Sequence, residues 1–378
     1  RPGWLIAGCC AAAAAKYIEP PFWIFYPPHA EPFGAGWNQA RLLSSLSAVI
    51  LIIFLIAGGG LGDFFGRRRL LLIGLAGAVA ANGLLLVTTS APWHITLRAL
   101  ALISDALVLP LTLAPLNIFF RGKQRGIAFA WYILATTFAS LLAGQQGQFF
   151  LNLLSWRWAY LVPMTMAAVA FVLIYRNLPE NYVREPHHPD ALVHAGWTLL
   201  VLAALYGVLQ AGIVRDWLIP VFTVVIIAGA IGLGLVFWWE MRMPGNLLRN
   251  RSIRTRDMTM LIVLGALIQL VLMGFYLPTF RYFDVVKGYG LPTRVLALLP
   301  LLVGMLLAMR TMGRIWHAQR VRRVLTIGLL LTALSVLLMA IRPLTAPYLV
   351  QDIPLALFGF SILATKTIWT NIFFRTVA

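Results

Sequence analysis

The stretch Arg67-Arg68-Arg69-Leu70-Leu71-Leu72-Ile73-Gly74-Leu75-Ala76-Gly77-Ala78-Val79-Ala80-Ala81-Asn82-Gly83-Leu84-Leu85-Leu86-Val87 decides the fold class. Three arginines precede eighteen residues without a charge. As an α-helix those eighteen rise roughly 27 Å, close to the thickness of a bilayer's hydrocarbon core. A segment placed there has no water to satisfy its N–H and C=O groups, so it must be a helix or part of a closed barrel. The alternating pattern of a barrel strand is absent.

The same pattern recurs along the chain. Twelve apolar runs are centred near Ala12, Ile50, Val79, Leu109, Ser140, Ala167, Ala203, Ile227, Ile268, Leu302, Thr332 and Phe360. Composition agrees: 61% of the 378 residues are hydrophobic and 11% are charged, with a mean hydropathy of +0.85. That leaves too little polar surface to coat a soluble globule of this size. The expected fold is therefore all-α, a polytopic membrane protein.

A net charge of +18 would suggest nucleic acid in a soluble chain, but here the basic residues cluster between apolar runs and read as topology. One set of alternate connections holds Arg67 to Arg69, Arg121, Lys123, Arg125, Arg176, Arg184, Arg242, Arg249, Arg251, Arg254, Arg256, Arg310, Arg314, Arg320, Arg322 and Arg323, with Arg1 and Arg375 at the ends. The other holds only Arg157, Arg215, Arg281, Lys287, Arg294 and Arg342. Twenty against six puts the first set, and both ends of the chain, in the cytoplasm of a plasma membrane, bacterial inner membrane being the expectation. Tryptophans such as Trp23, Trp93, Trp156 and Trp316 fall near run ends, where amphipathic rings prefer the interface.

Other classes find little support. Cys9 and Cys10 are adjacent inside an apolar run and form neither a disulfide framework nor a metal spacing. His187 and His188 lie in a proline-rich polar stretch without further spaced ligands, which reads as a solvated linker. No H-E-x-x-H, P-loop or dinucleotide fingerprint occurs, so an enzyme is disfavoured and no cofactor or metal is expected. The run Trp4 to Ala15 could pass for the core of a secretory signal, but apolar character resumes from Pro21 to Phe25 and makes one interrupted span. The chain starts at Arg1, so the expectation is an incomplete amino terminus.

Between the second and third runs stands Gly59-Gly60-Leu61-Gly62-Asp63-Phe64-Phe65-Gly66-Arg67-Arg68-Arg69. Glycines permit a tight turn, and Asp63 can pair with arginines or cap a helix start. The string resembles motif A of the major facilitator superfamily, G-x-L-a-D-r-x-G-r-r, with Phe64 where a basic residue is common. In the fourth run, Arg98-Ala99-Leu100 and Pro110 keep the spacing of that family's motif B, while Ala101 and Leu102 replace its Gln and Gly. Trp156-Arg157-Trp158-Ala159-Tyr160 is similar to the W-R-W-x-F that opens the sixth helix of drug/proton antiporters. Leu248-Arg249-Asn250-Arg251 resembles their L-F-R-N-R, and Gly288-Tyr289 with Pro300 matches their G-y-s-p to L-L-P spacing.

The resemblance implies the fourteen-spanner branch, with about twelve helices present. It implies an N-terminal six-helix bundle over 1–176, a cytoplasmic linker over 177–190, an inserted helix pair over 191–240 and a C-terminal bundle over 241–378. By that alignment the last bundle holds four of its six helices. It also implies alternating access: two bundles rock about a central site, and Gly59, Asp63, Gly66, Arg67 and Arg68 form a cytoplasmic gating motif. Two stretches depart from the branch. Ala143-Gly144-Gln145-Gln146-Gly147-Gln148 stands where G-P-x-x-G-G is usual, and Lys16-Tyr17-Ile18-Glu19-Pro20-Pro21 stands in the first run where L-D-x-T-i-v-n-v-A-l-P is usual.

Ionisable residues inside runs are the best site indicators, because a charge in hydrocarbon is costly unless it faces a bundle interior or water. They are Lys16, Glu19, Arg41, Arg98, Asp105 and Lys366. Arg98 and Asp105 are seven residues apart, so they share one helix face about 10 Å apart along the axis. Asp105 is read as the proton carrier, with Arg98 biasing it and Glu19 as a second candidate. The alternative for Arg98 and Asp105 is a fixed polar network. Glu19, beside Pro20 and Pro21, has the alternative of a hydrated carboxylate near the outer interface, with Lys16 as a partner three residues away. Arg41 reads as a snorkelling side chain, and Lys366 as a contact for an anionic substrate or lipid.

Phe138, Gln145, Gln146, Gln148, Gln269 and Tyr276 are candidate lining of a substrate cavity suited to amphipathic compounds. The favoured function is proton-coupled export of drugs or lipophilic small molecules by a monomer, with protons, a small-molecule substrate and membrane lipid as partners and no nucleic acid. The runner-up is a facilitator for a siderophore or organic acid. A non-transporting or decayed, truncated transporter is the third reading.

Overall fold

The computed structural model describes residues 2–19, 54, 58, 61–62, 65–89, 91–153, 155–179, 256–315, 321–341 and 348–377. The expected runs near Ile50, Ala203 and Ile227, the linker from residue 180 on, the inserted pair, and Gly59 and Asp63 lie outside the described residues.

Among the described residues all regular structure is helical. The helices are α1 (Pro2–Tyr17), α2 (Arg67–Val87), α3 (Ala91–Phe119), α4 (Gly122–Leu153), α5 (Leu161–Asn177), α6 (Arg256–Arg281), α7 (Leu291–Ala297), α8 (Leu299–Ile315), α9 (Val321–Ile341) and α10 (Tyr348–Val377). A short 3-10 helix, Trp156–Tyr160, leads into α5, and a π-helical turn, Tyr282–Val286, follows α6. Eight helical stretches among the described residues are long and apolar enough to cross a membrane.

Local chemistry explains several boundaries. Gly66, at φ 92°, supplies the left-handed residue that turns the chain into α2, a conformation a β-carbon would oppose. α3 keeps Pro110 and Pro115 in its interior. Each removes a helical N–H, a loss tolerated in membrane helices where neighbouring groups take up the freed carbonyls. Nearby, Thr112 donates its hydroxyl to the Leu109 carbonyl at 2.7 Å.

The described packing forms two compact units, Arg1–Pro115 with Ala139–Arg249, and Leu116–Phe138 with Asn250–Ala378. In the first, α1 and α2 both pack on α5. α1 buries a face of small residues, Gly8, Cys9 and Ala12 to Ala15, with Gly8 against Leu173 and Ile174. Gly74 and Gly77 of α2 meet Ser104 of α3. Small residues bring helix backbones close where burial of apolar area between helices contributes little, because lipid is equally apolar.

In the second unit, α8, α9 and α6 pack around α10. Gly304 lies on the Ala356 carbonyl and Gly359 on the Leu301 carbonyl, so a methyl at either position would strike backbone. Thr332 of α9 donates to Ser361 of α10 at 2.9 Å, and the Trp369 indole donates to the Leu261 carbonyl of α6 at 2.7 Å. Outward positions such as Leu270, Leu330 and Leu337 are exposed and apolar, as lipid-facing positions must be.

Candidate functional site

α1 and α3 bring four charged side chains together inside the first unit. α1 ends at Tyr17, and one further turn is held by Ile18 N–H donating to the Ala14 carbonyl at 2.9 Å. Gln146 of α4 donates its amide to the Ile18 carbonyl at 3.0 Å. Glu19 follows directly, so α4 pins the segment that carries it.

The Glu19 Oε2 atom lies 2.6 Å from Arg98 Nη1 and 3.0 Å from Lys16 Nζ. Lys16 Nζ is also 3.4 Å from Asp105 Oδ2. Glu19, Arg98 and Asp105 are 6%, 6% and 4% exposed, so the group is interior. Two carboxylates face two cations, so the formal charges balance when both carboxylates are ionised. Isolated, any one of these charges would be costly at this depth; together they compensate one another. Glu19 Oε1 is buried with no hydrogen-bond partner among the described residues.

This arrangement bears on the alternative for Glu19. Its carboxylate is not hydrated at an interface but buried, and it, rather than Asp105, takes the Arg98 guanidinium. The seven-residue separation of Arg98 and Asp105 on α3 leaves a gap that Lys16 of α1 and Glu19 just beyond it fill.

An aromatic shell adjoins Arg98. Its guanidinium lies 6.0 Å from the Tyr160 ring centroid, and the Tyr160 hydroxyl is 3.3 Å from His94 Nε2. His94 meets the Trp156 and Tyr160 rings edge to face, with centroids 5.4 Å and 5.8 Å away. Arg157 lies over the Trp156 ring and donates to the Thr88 carbonyl at 3.1 Å, tying the 3-10 helix to the end of α2. Neither His94 nor Tyr160 stands among the sequence candidates. The signal for His94 was present: residues 94, 98 and 105 are spaced by four and seven, one stripe of a helix.

The other candidates separate. Arg68 donates to the Tyr175 carbonyl at 2.9 Å and lies over the Tyr175 ring, joining the start of α2 to the end of α5; Arg67 begins α2 beside Gly66. Gln145 is buried, and its Oε1 has no hydrogen-bond partner among the described residues. Gln146 serves the α1 end as described, while the Gln148 side chain lies outside the described residues. In the second unit Gln269 accepts from Lys366, and Tyr276 packs against Phe280 at 4.5 Å between centroids. Among the described residues there is no group of His, Cys, Asp and Glu arranged to hold a metal ion.

Comparison with known proteins extends this picture. Residues 4–378 match the description Major Facilitator Superfamily. No curated protein matches the sequence. The human organic anion transporter MFSD10 (TETRAN) is similar in structure, with a TM-score of 0.65, 16% identity, and coverage of 98% of this chain and 84% of that one. The xylose transporter XylE from E. coli, in a partially occluded inward open conformation, gives a TM-score of 0.54 at 15% identity, covering 99% of this chain and 86% of that one. At such identities these likenesses concern the fold.

Proposed function

The chain belongs to the major facilitator superfamily and is a multi-pass membrane transporter, not an enzyme; from that premise we propose that it couples proton movement to export of a lipophilic small molecule. The observation that carries the proposal is the buried, charge-balanced cluster of Lys16, Glu19, Arg98 and Asp105. Glu19 pairs with both cations, whereas Asp105 pairs with Lys16, at the longest of the three ion-pair distances, and shares a side-chain hydrogen bond with Glu19. Asp105 is thus the carboxylate whose neutralisation by a proton sacrifices least ion pairing. Once it is neutral, Lys16 and Arg98 share Glu19, and the cluster holds one surplus positive charge. A conformational change that hydrates the cluster favours release of that proton.

Supporting parts follow the family resemblance. The turn at Gly66 and the Arg68 contact with Tyr175 fit a latch that biases one state of an alternating-access cycle. Gln145, Gln146, Gln148, Gln269 and Tyr276 remain candidates for lining the solute path. The same proton site would serve a carrier of an organic acid or siderophore, and the charge of the solute distinguishes the two.

The test is transport by the purified protein in proteoliposomes under an imposed proton gradient, across cationic dyes and organic acids. Asp105→Asn is expected to lose gradient-driven accumulation while retaining solute exchange at equal concentrations. An Asp105→Asn protein that still accumulates solute with unchanged pH dependence overturns the proposal.

A further inference from the structure

Lys366 sits inside the apolar span Asp352–Phe374 of α10. Its Nζ lies 3.4 Å from Gln269 Oε1 of α6, and among the described residues it has no carboxylate partner. The chain has 12 acidic residues; setting aside Glu19 and Asp105, which are committed to Lys16 and Arg98, the remaining ten fall by sequence in connections or at the ends of apolar runs. Among the described residues, none is therefore placed to neutralise Lys366 at membrane depth.

Snorkelling does not resolve the charge. The nearer end of the span, Phe374, is eight residues away, about 12 Å along the helix. A helical Cα–Cβ bond tilts toward the N-terminus, away from that end. The contact with Gln269 holds the ammonium beside α6 instead. Lys366 is half-buried and Gln269 exposed, so the pair borders open space, and the neighbouring Thr370 hydroxyl is already committed to the Lys366 carbonyl at 2.8 Å. About 10 Å along α6 from Gln269, seven residues on and so on the same helix face, stands Tyr276, packed on Phe280.

We propose that Lys366, seconded by Gln269, binds the anionic group of the transported solute, whose apolar body lies along the aromatic positions of α6. The solute class is a small amphipathic anion, a carboxylate or sulfonate carried on an apolar skeleton. An ammonium with one neutral neighbour retains capacity for two more acceptors, and a carboxylate or sulfonate supplies both the acceptors and the missing charge. An anionic lipid headgroup shares this chemistry, and the test separates the two. The inference rests on the transporter reading and narrows its substrate.

The experiment measures equilibrium binding to the purified chain in phosphatidylcholine vesicles, without a proton gradient, using matched probes: 4-phenylbutyrate against 4-phenylbutyramide, and 2-naphthalenesulfonate against its sulfonamide. Each anion is expected to bind at least about tenfold more tightly than its neutral partner. Lys366→Met should abolish the preference with an unchanged thermal unfolding profile, Lys366→Arg should keep it, and Gln269→Leu should reduce it severalfold. Equal binding of anion and neutral partner by the wild type, or an undiminished preference in Lys366→Met, overturns the proposal. A preference lost when one lipid in ten is phosphatidylglycerol assigns the ammonium to lipid and also overturns it. Because the assay uses no gradient, its failure is distinct from failure of Asp105-dependent coupling.

Discussion

Arg98→Met tests whether charge balance holds the site together. The substitution removes one of two cations and leaves Lys16 alone between Glu19, at 3.0 Å, and Asp105, at 3.4 Å, so the cluster passes from neutral to a surplus negative charge. Both Arg98 and Glu19 are nearly fully buried, which keeps water from screening the imbalance. Removing one partner of such a pair costs about 3 kcal/mol or more, chiefly through the charge left behind. Glu19→Gln produces the opposite surplus at similar cost. If the two losses were independent, the double variant would lose about 6 kcal/mol; because Arg98→Met with Glu19→Gln leaves a neutral Lys16 and Asp105 pair, we expect a loss of no more than about 3 kcal/mol, a coupling of about 3 kcal/mol. Arg98→Met with Asp105→Asn also leaves a neutral pair, Lys16 and Glu19, and should be rescued comparably. The assay is reversible unfolding of the purified variants in lipid bicelles at one pH. Double variants whose losses equal the sums of their singles within about 0.5 kcal/mol would refute the reasoning. Rescue confined to the Glu19 double variant would show that the 2.6 Å contact matters and the overall balance does not.

Two further predictions concern the scaffold. Gly359→Ala drives a methyl into the Leu301 carbonyl and should destabilise the protein by about 1–3 kcal/mol, whereas Gly274→Ala, with nothing within 4 Å, should not; thermal unfolding of the pair compares them directly. Gln146→Leu removes the donor to the Ile18 carbonyl beside Glu19 and should cost about 1–3 kcal/mol while weakening gradient-driven transport more than Gln145→Leu. Equal transport by the two glutamine variants would count against α4 as the support of the α1 end.

The helix class and the membrane environment were legible in single runs of sequence. An apolar stretch such as Leu70–Val87 must satisfy its own backbone in lipid, so its composition alone dictates a helix. The stripe of Arg98 and Asp105 was legible for a similar reason, since 3.6-residue periodicity operates within one segment. Lys16 with Glu19, three residues apart, followed from the same local geometry. Motif-like strings around Gly66 and Trp156 pointed to the superfamily that residues 4–378 match.

Which charge meets which was decided by packing. Arg98 takes Glu19, 79 residues earlier in sequence and just past the end of α1, and Lys16 reaches across to Asp105. Gln146, a candidate cavity residue by sequence, also holds the end of α1, and Tyr160, which no spacing rule ties to α3, bridges Arg98 and His94. Local periodicity sets the face on which a side chain stands, whereas the neighbour on that face depends on how separate helices rotate and slide against one another. In α1, α2 and α5 that docking follows the close approach of Gly8 to Ile174 and of Gly83 to Met164, contacts between residues far apart in the chain. Sequence by itself therefore determined membrane-spanning helices and a charged face on one of them; only the tertiary structure turned that face into a neutral, buried group of four, because charge compensation requires the partners to be in contact.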